Sequence, residues 1–200
     1  MVDSRLLSVI RPVIGAFERL EIPYYLGGSV AAIIYGLPRT TLDADLSASL
    51  VESHVPHLIA AWQDDFYVSG PMMLEAIQRQ SCFNLIHLKT VYKVDVFCSH
   101  NQPFQQSVLR RRRRDSLVSG DDVLLIDVAA PEDLILHKLV WYRKGNETSE
   151  RQWTDILTVL KLQADTFDRV YIAEWAAKLN VLDLWERIRD EATASSKPQL

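Results

Sequence analysis

The chain has few of the residues that define disulfide-bonded and zinc-binding proteins. Its 200 residues include only two cysteines, Cys82 and Cys98, too few for a disulfide framework or a four-thiolate zinc site. We expect both to be core residues, although a tight hairpin over 82–98 would bring them close enough for a bridge. The five histidines are not spaced as zinc ligands, so we assign them no metal.

The chain also lacks long hydrophobic runs and a positive net charge. Charged residues and a proline interrupt the apolar N-terminal stretch, so no segment approaches the length of a membrane span. The net charge of -4 at pH 7 gives no overall attraction to nucleic acid, and any polyanion would have to be held locally. We expect a cytoplasmic protein without a membrane partner.

The pattern of apolar residues changes near residue 130. Before it, helical and β-rich segments mix: three- and four-residue spacing predicts a helix over 3–20, and two β-rich runs predict a hairpin over 82–97. A helix carrying Arg110–Arg114 and a last strand over 123–128 follow, and after residue 130 the pattern is wholly helical.

These patterns predict an α/β (α+β) fold. We expect a small mixed β-sheet with helices packed mainly on one face, and a helical C-terminal portion. The predicted divisions are a core over 1–130, a helical portion over 131–193 and a flexible tail over 194–200.

The stretch from Tyr24 to Ser47 carries the most chemistry. It predicts a strand, a Gly-Gly-Ser turn, a short helix and a strand in which Asp43 and Asp45 share one face, because strand side chains alternate. Two neighbouring carboxylates repel each other unless a cation lies between them, which indicates a divalent metal. The Gly27-Gly28 turn would offer backbone N–H groups to a phosphate. Together these features indicate phosphoryl or nucleotidyl transfer.

Asp95 is a third candidate carboxylate. It lies in the second arm of the predicted hairpin, where Val94 and Val96 belong to the apolar face. Asp95 therefore points the other way, and in a mixed sheet it could face Asp43 and Asp45.

These motifs resemble the nucleotidyltransferase superfamily, whose fold is that of DNA polymerase β. The superfamily pattern is a glycine-rich turn, a spacer and an Asp-x-Asp strand. Tyr35-Gly36 and Arg39-Thr40-Thr41 narrow the resemblance to the bacterial group that contains minimal nucleotidyltransferases and abortive-infection-type toxins. The similarity covers most of residues 20–160.

The resemblance implies metal-dependent transfer of a nucleotide from an NTP to an acceptor hydroxyl, on an RNA 3′ end or a protein side chain. It implies that Asp43, Asp45 and Asp95 are catalytic and hold Mg²⁺ or Mn²⁺ in a two-metal site. It assigns phosphate binding to Gly27, Gly28, Ser29, Arg39 and Lys138. A toxin with a separate antitoxin partner is one form that this group takes.

Lys138 has two interpretations. The toxin group has a helical Lys-Leu-x-Ala-x-x-x-Arg element with a phosphate-binding lysine, but here Trp141 replaces the alanine and Gly145 the arginine. The structural alternative is that Lys138 pairs with Asp155 on the following helix. The sequence does not favour one over the other.

Rival functions follow from two other features. The departures around Lys138 suit a catalytically inactive nucleotide-binding or regulatory protein that keeps the fold. Arg110–Arg114 would suit an RNA-binding module, but helical residues fan out by about 100° each, so most of these arginines must be solvated. We favour an exposed basic face that Asp115, Asp121 and Asp122 balance.

Overall fold

The computed structural model describes residues 3–98, 101–163 and 167–194. Helices and a seven-stranded mixed sheet confirm the predicted α/β class. The chain forms two compact units, one from Met1–Ile34 and Pro38–Ala129, the other from Tyr35–Leu37 and Ala130–Leu200. Among the described helices, none has the length and apolar character needed to cross a bilayer.

The first unit contains the sheet. Its strands are, in chain order, β1 (Tyr24–Leu26), β2 (Asp43–Ala48), β3 (Phe66–Tyr67), β4 (Cys82–His87), β5 (Lys93–Phe97), β6 (Arg113–Ser119) and β7 (Asp122–Val128). Their order across the sheet is β3-β4-β5-β2-β1-β7-β6. The β2/β5 and β1/β7 pairs are parallel and the other pairs antiparallel, which makes the sheet mixed.

The helices of this unit are α1 (Ser4–Arg19), α2 (Gly28–Ile34), α3 (Val55–Trp62), α4 (Gly70–Arg79) and α5 (Pro103–Arg111), with a 3-10 turn at Glu52–His54. Asp3 caps α1, because its side chain accepts a hydrogen bond from the backbone N–H of Arg5 at 2.9 Å. The apolar stripe of α1 is buried, and the Phe17 ring packs edge-on against Trp62 at 5.6 Å. This stripe is the one that the spacing predicted.

The strand boundaries differ from prediction at two places. Strand alternation predicted that Thr41 would share the face of Asp43 and Asp45, but Thr41 precedes β2, which begins at Asp43. The prediction of one helix through the arginine run is wrong: α5 ends at Arg111, and Arg112 turns the chain into β6. The reason is tertiary, because β6 pairs along its whole length with β7 and buries Leu117 to 1% exposure.

The two cysteines are free. Cys82 lies opposite Phe97 in the β4/β5 pair, so Cys98 is one residue out of register with it. Because neighbouring positions on a strand point to opposite faces, the two thiols belong to different sides of the sheet.

The second unit is helical. Its helices are α6 (Pro131–Lys144), α7 (Glu150–Leu162), α8 (Arg169–Lys178) and α9 (Leu182–Ala194). Side-chain oxygens of Ser149 and Asp168 cap α7 and α8 by accepting backbone N–H groups at 3.3 and 2.9 Å. Of the predicted tail, Ala194 ends α9, and residues 195–200 lie outside the described residues.

Candidate active site

The turn between β1 and α2 forms one side of the candidate site. The backbone N–H of Gly27 donates to the carbonyl oxygen of Asp45 at 2.8 Å, which ties the turn to β2. Gly28 has a φ of +57°, and a Cβ on it would lie 1.7 Å from Asp45 Oδ2. Only glycine therefore allows the Asp45 carboxylate to lie directly against the backbone of this turn. Ser29 follows, half-buried in the first turn of α2.

The acidic residues come together through the parallel pairing of β2 and β5. Asp45 lies opposite Asp95, and Asp43 lies opposite Lys93. Residues in register on neighbouring strands point to the same face, so these four side chains occupy one patch of the sheet. On the other face Ala44 and its neighbours are fully buried. We call Asp43, Asp45, Lys93 and Asp95 the acidic patch.

Asp95 has two partners on this face. Lys93 Nζ lies 2.8 Å from Asp95 Oδ2, and the amide nitrogen of Asn84 on β4 donates to Oδ1. The Asp95 side chain is only 15% exposed. The hydrogen bond to Asp95 raises the pKa of Lys93, and the charges of Asp95, Asp43 and Asp45 raise it further. Lys93 is therefore fully charged in the neutral pH range.

Sequence reasoning missed Lys93 and Asn84. The signal was present, because Lys93 precedes Asp95 by two residues on the same strand and so shares its face. Asn84 lies directly opposite Asp95 in the β4/β5 pair, and only the hairpin register reveals this.

The acidic patch contains carboxylates that would suit a divalent cation. Asp43 and Asp45 supply two carboxylates on one strand face, a usual ligand set for Mg²⁺ when phosphate oxygens complete it. Both oxygens of Asp95 already have protein partners. Within the described ranges, no three His, Cys, Asp or Glu side chains form a group that could hold a metal ion. A metal ion at Asp95 would lie beside the Lys93 ammonium, and the two-metal site stays a prediction from the resemblance.

Arg39 lines a cleft and belongs to the segment of the chain just before β2. The cleft encloses about 260 Å³, and the segment from Arg39 to Leu42 forms one part of its wall. Asp3, Arg5 and Tyr92 contribute another part. Arg5 hydrogen-bonds the Asp3 carboxylate at 2.7 Å and, with Tyr92, holds the pKa of Asp3 far below its usual range.

Lys138 lies in the second unit and has a structural partner there. Its Nζ is 3.1 Å from Asp155 Oδ2, with 11% and 10% of the two side chains exposed. The predicted pairing with Asp155 is confirmed. A phosphate role for Lys138 stays a prediction from the resemblance.

At least two of the five arginines in the run have carboxylate partners, which are not the predicted ones. Arg112 pairs with Asp127 at 2.9 Å, and Arg114 pairs with Glu18 at 2.8 Å and with Asp127 at 3.2 Å. Asp127 neighbours this run because β6 pairs with β7. We expected Asp115, Asp121 and Asp122 to balance the run. The partners found for Arg112 and Arg114 are Asp127 and Glu18 instead.

Comparison with known proteins identifies the fold. No family model and no curated protein matches the chain. An antigenic nucleotidyltransferase-like protein from Paracoccidioides brasiliensis is similar in structure, with a TM-score of 0.57 and 18% identity over 96% of this chain and 94% of that one. The lincosamide antibiotic adenylyltransferase LnuA, bound to lincomycin, gives a TM-score of 0.47 and 16% identity over 80% of this chain and 98% of its own. The antibiotic-resistance factor ANT(2'')-Ia gives 0.46 and 13% over 97% of both. The first of these likenesses shows that the predicted nucleotidyltransferase fold is correct.

Proposed function

We propose that the acidic patch transfers a nucleotide from an NTP to an acceptor hydroxyl. The observation that carries the proposal is the close approach of the Asp45 carboxylate to the Gly28 backbone. Asp95 lies opposite Asp45 on β5. A protein that needed Asp45 only as a solvent-facing strand residue would not require a glycine with left-handed backbone beneath its carboxylate.

Each carboxylate has a separate part in this reaction. Asp43 and Asp45 would hold one Mg²⁺ or Mn²⁺, which when bound offsets the charge of the triphosphate oxygens. Asp95 would accept the proton of the attacking hydroxyl, whose oxygen bonds to the α-phosphorus as the bond to the pyrophosphate oxygen breaks. Lys93 and Asn84 hold the Asp95 carboxylate in one orientation.

The remaining assignments extend the proposal. Gly27, Gly28, Ser29 and Arg39 are the proposed contacts of the triphosphate in the first unit, and Lys138 is the residue that the resemblance adds from the second. The acceptor is an RNA 3′ end or a protein side chain. A toxin role with an antitoxin partner rests on the resemblance alone.

A second candidate is a nucleotide-binding protein that does not turn over. The observation that favours it is the engagement of both Asp95 oxygens, which leaves the proton acceptor held by two donors. Such a protein would bind NTP with a divalent cation but release no pyrophosphate.

The experiment that tests the proposal measures pyrophosphate release. The protein is incubated with Mg²⁺ or Mn²⁺, each NTP in turn, and total RNA or cell protein as acceptor. We expect release with at least one combination, and its loss in Asp43→Asn and Asp45→Asn. NTP binding without release would favour the second candidate. Release that survives both substitutions would refute the proposed site.

A further inference from the structure

Lys93 occupies a special position in the acidic patch. It is the residue directly opposite Asp43, yet its ammonium reaches along its own strand to Asp95 Oδ2 at 2.8 Å. One cation therefore shares a sheet face with three carboxylates and is in direct contact with one of them.

The pair differs from an ordinary surface ion pair. Exposed lysine–carboxylate pairs hold loosely, because both side chains keep their freedom in water. Here the Lys93 side chain is 39% exposed, but the Asp95 side chain is only 15% exposed, and Asn84 binds its second oxygen. The carboxylate thus has a donor on each oxygen, and a metal ion that ligated it would lie beside the Lys93 ammonium, whose positive charge opposes a second cation.

The charges of the acidic patch also argue against a second divalent cation at Asp95. Within the acidic patch, three carboxylates outnumber one ammonium, and a divalent cation would offset the remaining negative charge. Without the lysine, the three carboxylates would favour a second cation.

We propose that Lys93 is a built-in cation that takes the place of a second divalent ion at Asp95. The site then holds one divalent ion, at Asp43 and Asp45. Asp95 remains available to accept the proton of the attacking hydroxyl. This inference deepens the proposed function and rests on it for the role of the site. Its cation-binding part can be tested without any substrate.

The test counts bound Mn²⁺ in the absence of nucleotide, using the electron paramagnetic resonance signal of the free ion. Wild-type protein is compared with Lys93→Met and with Lys89→Met. Lys89 lies in the β4–β5 turn, 79% exposed and 3.7 Å from Asp65, so its substitution makes the same charge change away from the patch. Lys93→Gln separates charge from hydrogen bonding, since the amide can still donate to Asp95.

We expect one Mn²⁺ per wild-type chain and the same for Lys89→Met. Lys93→Met should bind a second Mn²⁺, or bind Mn²⁺ about tenfold more tightly or better, because a positive charge has left the patch. Lys93→Gln should shift in the same direction. Two ions on the wild-type chain, or no gain in affinity or number for Lys93→Met and Lys93→Gln, would overturn the inference.

The outcome is independent of catalysis. Because the assay contains no NTP and no acceptor, a protein that fails to release pyrophosphate can still show the Lys93 effect. Conversely, an active enzyme that binds two Mn²⁺ would retain the proposed function and refute the role of Lys93. Urea unfolding of each variant verifies that the sheet is intact.

Discussion

Replacing Gly28 with alanine tests how the site is built. The new Cβ would lie 1.7 Å from Oδ2, 2.5 Å from Cγ and 2.9 Å from Cβ of Asp45. Gly120, in the β6–β7 turn, has a φ of +58°, close to the +57° of Gly28, but nothing lies within 4 Å of its added Cβ. Gly120→Ala is therefore a matched control, with the same backbone cost and no collision.

The magnitudes separate the two effects. A left-handed conformation costs a non-glycine residue about 1–2 kcal/mol, so Gly120→Ala should lose about that much unfolding free energy and Gly28→Ala at least as much. Ordinary contact begins at 3.4 Å, so Asp45 Oδ2 has to retreat by about 1.7 Å in Gly28→Ala. Misplacing a reacting group by ~1 Å can cost about a hundredfold in rate. Gly28→Ala should thus lose at least that factor in nucleotidyl transfer, and Gly120→Ala almost nothing.

The assay pairs urea unfolding with transfer rate and Mn²⁺ affinity. We expect both variants to lose stability, Gly28→Ala at least as much as Gly120→Ala, and a loss of function in Gly28→Ala alone. If Gly28→Ala transferred nucleotide and bound Mn²⁺ as well as Gly120→Ala, the contact between Asp45 and the turn would have no functional role, and the reasoning from this glycine would be refuted.

Three further predictions concern stability and thiol chemistry. Lys138→Met should lower the unfolding free energy in urea by about 3–5 kcal/mol, because the buried Asp155 carboxylate loses the Lys138 ammonium. Adding Asp155→Leu should recover most of the lost unfolding free energy. A loss below ~1 kcal/mol in Lys138→Met would contradict a structural role for the pair. Burial lowers the pKa of His137 to about 4, so the unfolded chain takes up a proton at a higher pH than the folded protein does. The unfolding free energy should therefore decline as pH falls from ~6.5 to ~4, by at most about 3 kcal/mol. Above pH ~6.5 this contribution should not change with pH. The decline should be smaller in His137→Gln, and parallel curves would count against this origin. Burial raises the pKa of Cys82 and of Cys98 to about 12, so a thiol reagent at pH 8 should react quickly only after unfolding; a fast thiol in the native protein, or none in urea without reductant, would be inconsistent with the structure.

Local patterns predicted much of the acidic face. Alternation along a strand placed Asp43 and Asp45 on one side, and the apolar positions around Asp95 turned that residue away from the core. Both inferences need only the period of a strand. Helix caps are local in the same way: Asp3 and Ser149 are residue types that favour the N-cap position, and each caps a helix in the structure.

Tertiary pairing explains what the sequence did not reveal. Arg113 and Arg114 begin a strand only because β7 lies beside them, and a run of arginines carries no strand signal of its own. The contact between Lys93 and Asp95 was equally hidden: a shared face follows from spacing, but the choice among three carboxylates depends on how β2, β4 and β5 align.

The most direct test of the central claim compares NTP labelled at the α-phosphate with NTP labelled at the γ-phosphate. Nucleotidyl transfer places the α-label on the acceptor and releases the γ-label in pyrophosphate. We predict acceptor labelling from the α-position alone, with Mg²⁺ or Mn²⁺ present, and its loss in Asp45→Asn. Labelling of the acceptor from the γ-position, or α-labelling that persists in Asp45→Asn, would contradict nucleotidyl transfer at the acidic patch.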